Sequence, residues 1–249
     1  MKKLLLILVL FGLIFSSCDA QRNYTAKKLL FSQVQKPYIN YGYLYNWWAV
    51  IDSRNIAASG WHVPIQTDYE TLFNLLGTRS SNIWTPAGDK LREISSIYWG
   101  IITNSTNEVF FNARGSGERN TLGSFLNLRA TCHLRTSTIN NSTTSIIFNI
   151  TTSSGAGFNA SQHTIGYSIR LVKNTTTLTH GQTGTYVGND GKIYRTIAIG
   201  SPAQEWLADN LAETLYRDLS TITVVTDNAV WAALTTEARC VYNNDESYR

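Results

Sequence analysis

The last eight residues of the chain, 242–249 (YNNDESYR), read straight into residues 36–50 (KPYINYGYLYNWWAV), as though one aromatic and amide-rich string had been cut and set at opposite ends. Any fold that restores the string must bring head and tail together. It must also join the former ends, and residues 174–184 (NTTTLTHGQTG), which lack hydrophobic periodicity, read as the linker that does so. Such a rearrangement is tolerable where the original ends lie close, because a loop of about ten residues closes neighbouring ends at small entropic cost. The alternative is the tail of one domain followed by the head of another. Each piece alone would then expose strand edges and a half-built core, unless two chains exchanged them head to tail.

The motifs that carry this order fall into two groups. The tail holds NDGKIYRTIAIG (189–200), EWLADNL (205–211), VTDNAVWAALTT (225–236) and CVYNND (240–245). The head holds YGYLYNWWAV (41–50), SGWHVP (59–64), AGDKLRE (87–93), GERNTLGSF (117–125) and IGYSIRLVKN (165–174). Taken tail first, the series resembles one copy of the Fibrobacter succinogenes major paralogous domain, a family of bacterial surface proteins. LYNW and GWHVP are its distinctive strings. The resemblance implies a circularly permuted C-type-lectin-like domain over residues 38–249, with the family's second half at 38–173, a linker at 174–184 and the first half at 185–249. It also implies a structural corner at His62 and a structural hydrogen-bond donor at Arg119.

Lys2 and Lys3 precede an apolar run over residues 4–15, then Ser16, Ser17 and Cys18, the order of a secretory signal. The run is shorter than the roughly 20 residues of a membrane-spanning helix. Its end reads as a lipobox with Phe15 where leucine is usual, which makes Cys18 the expected lipidated residue, after a signal at 1–17 and before a tether at 18–37. An ordinary signal with a spectator cysteine is the alternative. The expected location is the outer membrane, at the cell surface. Loss of the two lysines lowers the formal charge from +4 to +2. The remaining cations are scattered, which argues against nucleic acid as a partner. Cys132 and Cys240 remain for a disulfide, which export permits, with two free thiols as the alternative.

The local patterns predict short helices among short strands, an α+β class. Residues 41, 44, 45 and 48 have helical spacing. Thr67 and Glu70 form a capping-box pattern ahead of Tyr69, Leu72, Phe73 and Leu76, with Gly77 as the stop. Residues 145–150 and 167–172 alternate as strands, Asn189-Asp190-Gly191 predicts a tight hairpin, and Thr226 is placed to cap a short helix through Trp231.

No catalytic constellation emerges. The histidines lack metal-ligand spacing, and GSGERNTLG (115–123) lacks the ending of a phosphate loop. Asn243, Asn244 and Asp245 offer oxygen ligands for calcium, but an Asx turn explains them as well. The lectin-like class includes formylglycine-generating oxidoreductases, whose chemistry would need Cys132 and Cys240 together. The expected protein is therefore no enzyme, with no cofactor. The informative departure is RATCHLRTST (129–138), where the family usually carries a Trp-Ser-Ser-Thr string and where Arg135 falls near the expected tryptophan. This segment and the Asn, Ser and Thr-rich stretch behind it read as a ligand-facing surface, with ordinary loop composition as the alternative. The contact candidates are Arg129, His133, Arg135, Asn149, Asn159 and His163, for a carbohydrate or a surface protein. A structural envelope or fimbria-associated protein, or a diversified display protein, is the second reading.

Overall fold

The hydrogen bonding of residues 40–249, the part that the computed structural model describes, resolves into short strands and shorter helices. The head begins with β1 (Leu44–Tyr45), α1 (Trp47–Ile51), β2 (Trp61–His62), α2 (Gln66–Leu76), β3 (Thr78–Ser80), β4 (Ile83–Thr85) and α3 (Ala87–Leu91). It continues with β5 (Ser116–Arg119), β6 (Phe125–Leu128), β7 (Cys132–Ile139), β8 (Thr144–Ile150), β9 (Ala156–Gln162) and β10 (Val172–Lys173). The tail supplies β11 (Thr183–Val187), β12 (Ile193–Gly200), β13 (Ala203–Leu207), α4 (Asn228–Ala232) and β14 (Arg239–Cys240). The class is α+β. One antiparallel sheet runs β11-β12-β13-β10-β2 and a second β3-β4-β9-β8-β7, beside the two pairs β1–β14 and β5–β6. The signal at 1–17, Cys18 and the tether at 18–37 lie outside the described residues.

Helix α2 packs between the two sheets. Tyr69, Leu72, Phe73 and Leu76 form its buried stripe. The Tyr69 ring lies 4.8 Å from Phe148 of β8 and 4.9 Å from Trp206 of β13, and Phe73 lies 5.3 Å from Trp84 and 5.2 Å from Phe158. The helix starts two residues earlier than its sequence pattern. Ile65 is the N-cap, and its N–H donates to Asp68 Oδ2 at 2.9 Å, while Thr67 and Glu70 lie inside the helix. His62 is the corner before it, with Nε2 3.1 Å from Asp68 Oδ2 and Nδ1 2.7 Å from Asn174 Oδ1.

Head and tail share one core. Tyr45, Trp47, Val50 and Trp61 are buried in the same cluster as Tyr186, Tyr194, Leu211, Tyr216 and Val241. Strand β1 pairs with β14, Leu44 opposite Cys240 and Tyr45 opposite Arg239. Tyr41 N–H donates to Tyr248 O at 2.9 Å and Tyr43 N–H to Leu211 O at 3.0 Å. Gly42, with φ +71°, permits that approach, because a Cβ there would overlap the Leu211 carbonyl. Asn46 caps α1 and binds the tail at once. Its Oδ1 accepts from Ala49 N–H and Ala238 N–H, and its amide donates to Thr236 O at 2.8 Å. The string at 41–50 is therefore a strand followed by a helix from Trp47, not one helix.

Many loops depend on buried guanidinium groups rather than on ladders. Arg92, Arg114, Arg119, Arg135 and Arg170 are all nearly inaccessible to solvent. Arg119 donates to the carbonyls of Gly123, Val225, Thr226 and Asp227, tying β5 to the tail. Arg170 donates to those of Phe111, Leu207 and Asn112. One guanidinium carries five donors in a fixed fork, so a single side chain satisfies several loop carbonyls. The hairpin at Asn189-Asp190-Gly191 joins β11 to β12 as expected. The linker region ends at residue 182, since β11 begins at Thr183, and Asp227 rather than Thr226 caps α4, accepting from Val230 N–H at 2.8 Å.

Candidate functional site

Alternation along a strand decides which candidate residues meet. In the second sheet His133 of β7 lies opposite Asn149 of β8, which lies opposite Gly157 of β9. The next row of the same face is Arg135, Ile147 and Asn159. Leu134, Phe148 and Phe158 point the other way, into the aromatic core. Four of the six candidates thus share one sheet face.

Part of that face is covered. Arg135 has no exposure at all. It donates to Ser145 Oγ at 2.9 Å, to Gln162 O at 3.0 Å and to Ile165 O, and its guanidinium lies 4.8 Å over the Tyr167 ring. Burial pushes its pKa down to about 10. It is a pillar under residues 162–165 and not a ligand contact. His163 is also buried, stacked on Trp47 with ring centroids 4.0 Å apart, and burial holds its pKa below the usual histidine value. Both leave the candidate set on these grounds. Arg129 is exposed at the turn between β6 and β7, where it donates to Ser96 O at 2.7 Å.

The open part is a shallow groove of about 260 Å³. Asn149 and Asn159 line it from β8 and β9. Ser81 and Asn82 of the β3–β4 turn, with Ile83 of β4, form one wall, and Thr151 and Ser153, whose hydroxyls lie 2.9 Å apart, form another. Gly157 sits where a Cβ would strike the Asn82 carbonyl, so its bare backbone lets the turn lie against β9. The turn is held there by Asn82 Nδ2–H donating to Phe158 O at 2.7 Å. Beneath the other wall Arg92 donates to Thr151 O at 2.8 Å and to Ser153 O, and pairs with Asp89. His133 lies behind Asn149, its Nε2 2.8 Å from Asn149 Oδ1 and its Nδ1 3.0 Å from Glu118 Oε2.

None of the groove's lining side chains is charged. Its polar groups are amides and hydroxyls, which donate and accept, and Ile83 supplies exposed apolar surface. The volume falls below the ~300 Å³ at which enclosed small-molecule pockets begin, so the geometry suits part of an extended ligand. Sequence reasoning missed both Glu118 and the 81–83 wall, to which it gave no role.

Cys132 and Cys240 are free thiols, not a disulfide. Cys132 lies near Arg170 and Tyr69, and Cys240 packs with Trp231 and Val225 beside Arg119. Burial pushes each thiol up to about 12, which keeps it protonated at neutral pH. Asp245 accepts from Ser247 N–H at 2.9 Å, the Asx turn weighed against calcium. Among the described residues, no helix is long and apolar enough to cross a membrane.

An α+β domain with a neutral groove across one sheet face is the class that these observations define. The family model of the Fibrobacter succinogenes major domain matches residues 16–173, and the chain belongs to that family. No curated protein and no solved structure matches it.

Proposed function

We propose that this is an exported, lipid-anchored binding or adhesion module, and not an enzyme, whose β8–β9 groove recognises neutral, hydroxyl-rich carbohydrate. The observation that carries the reading is the groove's lining of amides and hydroxyls around an apolar patch without a charged side chain. Sugar hydroxyls donate and accept at once, which matches amide and hydroxyl partners, while an anionic ligand would want a cation that the lining lacks. The scaffold we infer is a permuted C-type-lectin-like domain. That inference is supported by the β1–β14 pairing, the Tyr41–Tyr248 hydrogen bond and the position of residues 174–182 between β10 and β11. Anchoring at Cys18 rests on the order of charge, apolar run and small residues at the head.

A glycan array probed with the mature protein tests the reading. Neutral oligosaccharides are expected to bind, and the double variant Asn149→Ala, Asn159→Ala to lose at least about tenfold in affinity while keeping its thermal midpoint. Cys18→Ala is expected to release the protein from membranes and leave array binding unchanged. Binding that survives the double variant, or an array without a neutral glycan hit, contradicts the proposal.

A further inference from the structure

We propose that His133 is a positioning residue that sets the hydrogen-bonding character of the groove by turning the Asn149 amide. The inference rests on the groove being the binding site. His133 does not line it; Asn149 does, and His133 holds Asn149 from behind.

The groups around the ring fix what each nitrogen can do. From β5, the Glu118 carboxylate faces Nδ1 at 3.0 Å. From β8, Asn149 faces Nε2 at 2.8 Å. From the segment after β9, the Tyr167 ring stands edge-on with centroids 5.1 Å apart, and its hydroxyl is 2.9 Å from Ser161 Oγ. On β7 itself the Arg135 guanidinium lies over Tyr167. Glu118 is also approached by Asn127 Nδ2, 3.4 Å from its other oxygen.

A carboxylate only accepts, so Nδ1 carries a proton in both charge states of the ring. The two protonation forms of the ring therefore differ only at Nε2. In the imidazolium, Nε2–H donates to Asn149 Oδ1, and the amide NH₂ is turned to the groove. In the neutral ring, Nε2 has a lone pair that cannot face a carbonyl oxygen. The amide must then turn by half a rotation, donate through Nδ2–H, and present Oδ1 to the groove. The same side chain offers an acceptor to sugar hydroxyls when His133 is neutral and a donor to carboxylate or carbonyl oxygens when it is charged. The partly buried position behind Asn149, between the Glu118 carboxylate and the Asn149 amide, gives the ring this leverage without contact with ligand.

The test uses the full mature chain, isotope-labelled, with the hydrogen bond and the protonation form of the His133 ring both read directly by NMR over a pH series. A through-bond coupling between Asn149 Nδ2 and His133 Nε2 is expected with the neutral ring and is expected to vanish on protonation. In parallel, the affinity ratio of cellohexaose to hexagalacturonate is expected to fall about tenfold on protonation. His133→Gln should hold that ratio constant with pH while keeping the thermal midpoint. A coupling that is the same in both protonation forms of the ring overturns the inference and leaves the binding reading intact. A coupling that changes while neither oligosaccharide binds at either pH overturns the groove as a site, and the inference with it.

Discussion

Arg135 illustrates how much a single residue's role depends on what lies above it. Its type argues for solvent, since arginine is rarely buried without partners. The Gln162 and Ile165 carbonyls and Ser145 supply those partners. Replacing it by leucine strands those oxygens and should cost about 2–4 kcal/mol, read as a lower midpoint in denaturant, with groove binding unchanged in the folded fraction. Asp209 gives a second residue-scale expectation. Burial pushes its carboxyl up, but hydrogen bonds from Arg195 and the charges of Arg114, Arg195 and Arg170 outweigh this and hold it well below the usual range. A lowered folded pKa means stability that is complete above the unfolded value of about 4 and is lost as pH falls toward the folded one. Acid unfolding should therefore steepen below about pH 4, and Asp209→Asn should flatten that slope in a pH series of denaturant melts. His133 and Asn149 were legible as polar residues in the right stretch, but their opposition was not, because register is set by strand pairing across a separation of 16 positions that contains the turn.

Among the elements, those fixed by local chemistry were readable and those fixed by neighbours were not. The stripe of Tyr69, Leu72, Phe73 and Leu76 and the Asp-Gly hairpin declare themselves in sequence and stand where they declare. Caps did not. Thr67 and Thr226 had the right side chains, yet Ile65 and Asp227 begin the helices, because the preceding chain is already held elsewhere, Gln66 N–H by Thr138 Oγ1 for one. In 41–50 the aromatic spacing mimics a helix, but pairing with β14 extends residues 44 and 45. Asn46 is the hinge between these states, capping α1 with the oxygen that also holds Ala238. Asn46→Ala removes the cap and leaves buried tail groups unpaired, and should cost about 2–3 kcal/mol in an equilibrium melt. A loss under about half a kcal/mol would mean that the cap and the tail contacts are dispensable.

For the whole molecule, the matching strings at 242–249 and 36–50 pointed to contact between head and tail, and β1 does pair with β14 over a shared core. The network that makes the match stable was hidden, since Arg119 reaches residues more than a hundred positions away and no spacing predicts it. Residues 40–173 and 185–249 are expected to form one cooperative domain, since head and tail share one core and β1 pairs with β14. Calorimetry of a rearranged chain tests that most directly. In it, Arg249 is joined through a short glycine-serine link to Asn40, and new ends are opened between Leu178 and Thr179. The account predicts a single unfolding transition within about 5 °C of the native chain, close to what 1–2 kcal/mol would move a domain of this size. Two separate transitions, or a rearranged chain that does not fold, would contradict it.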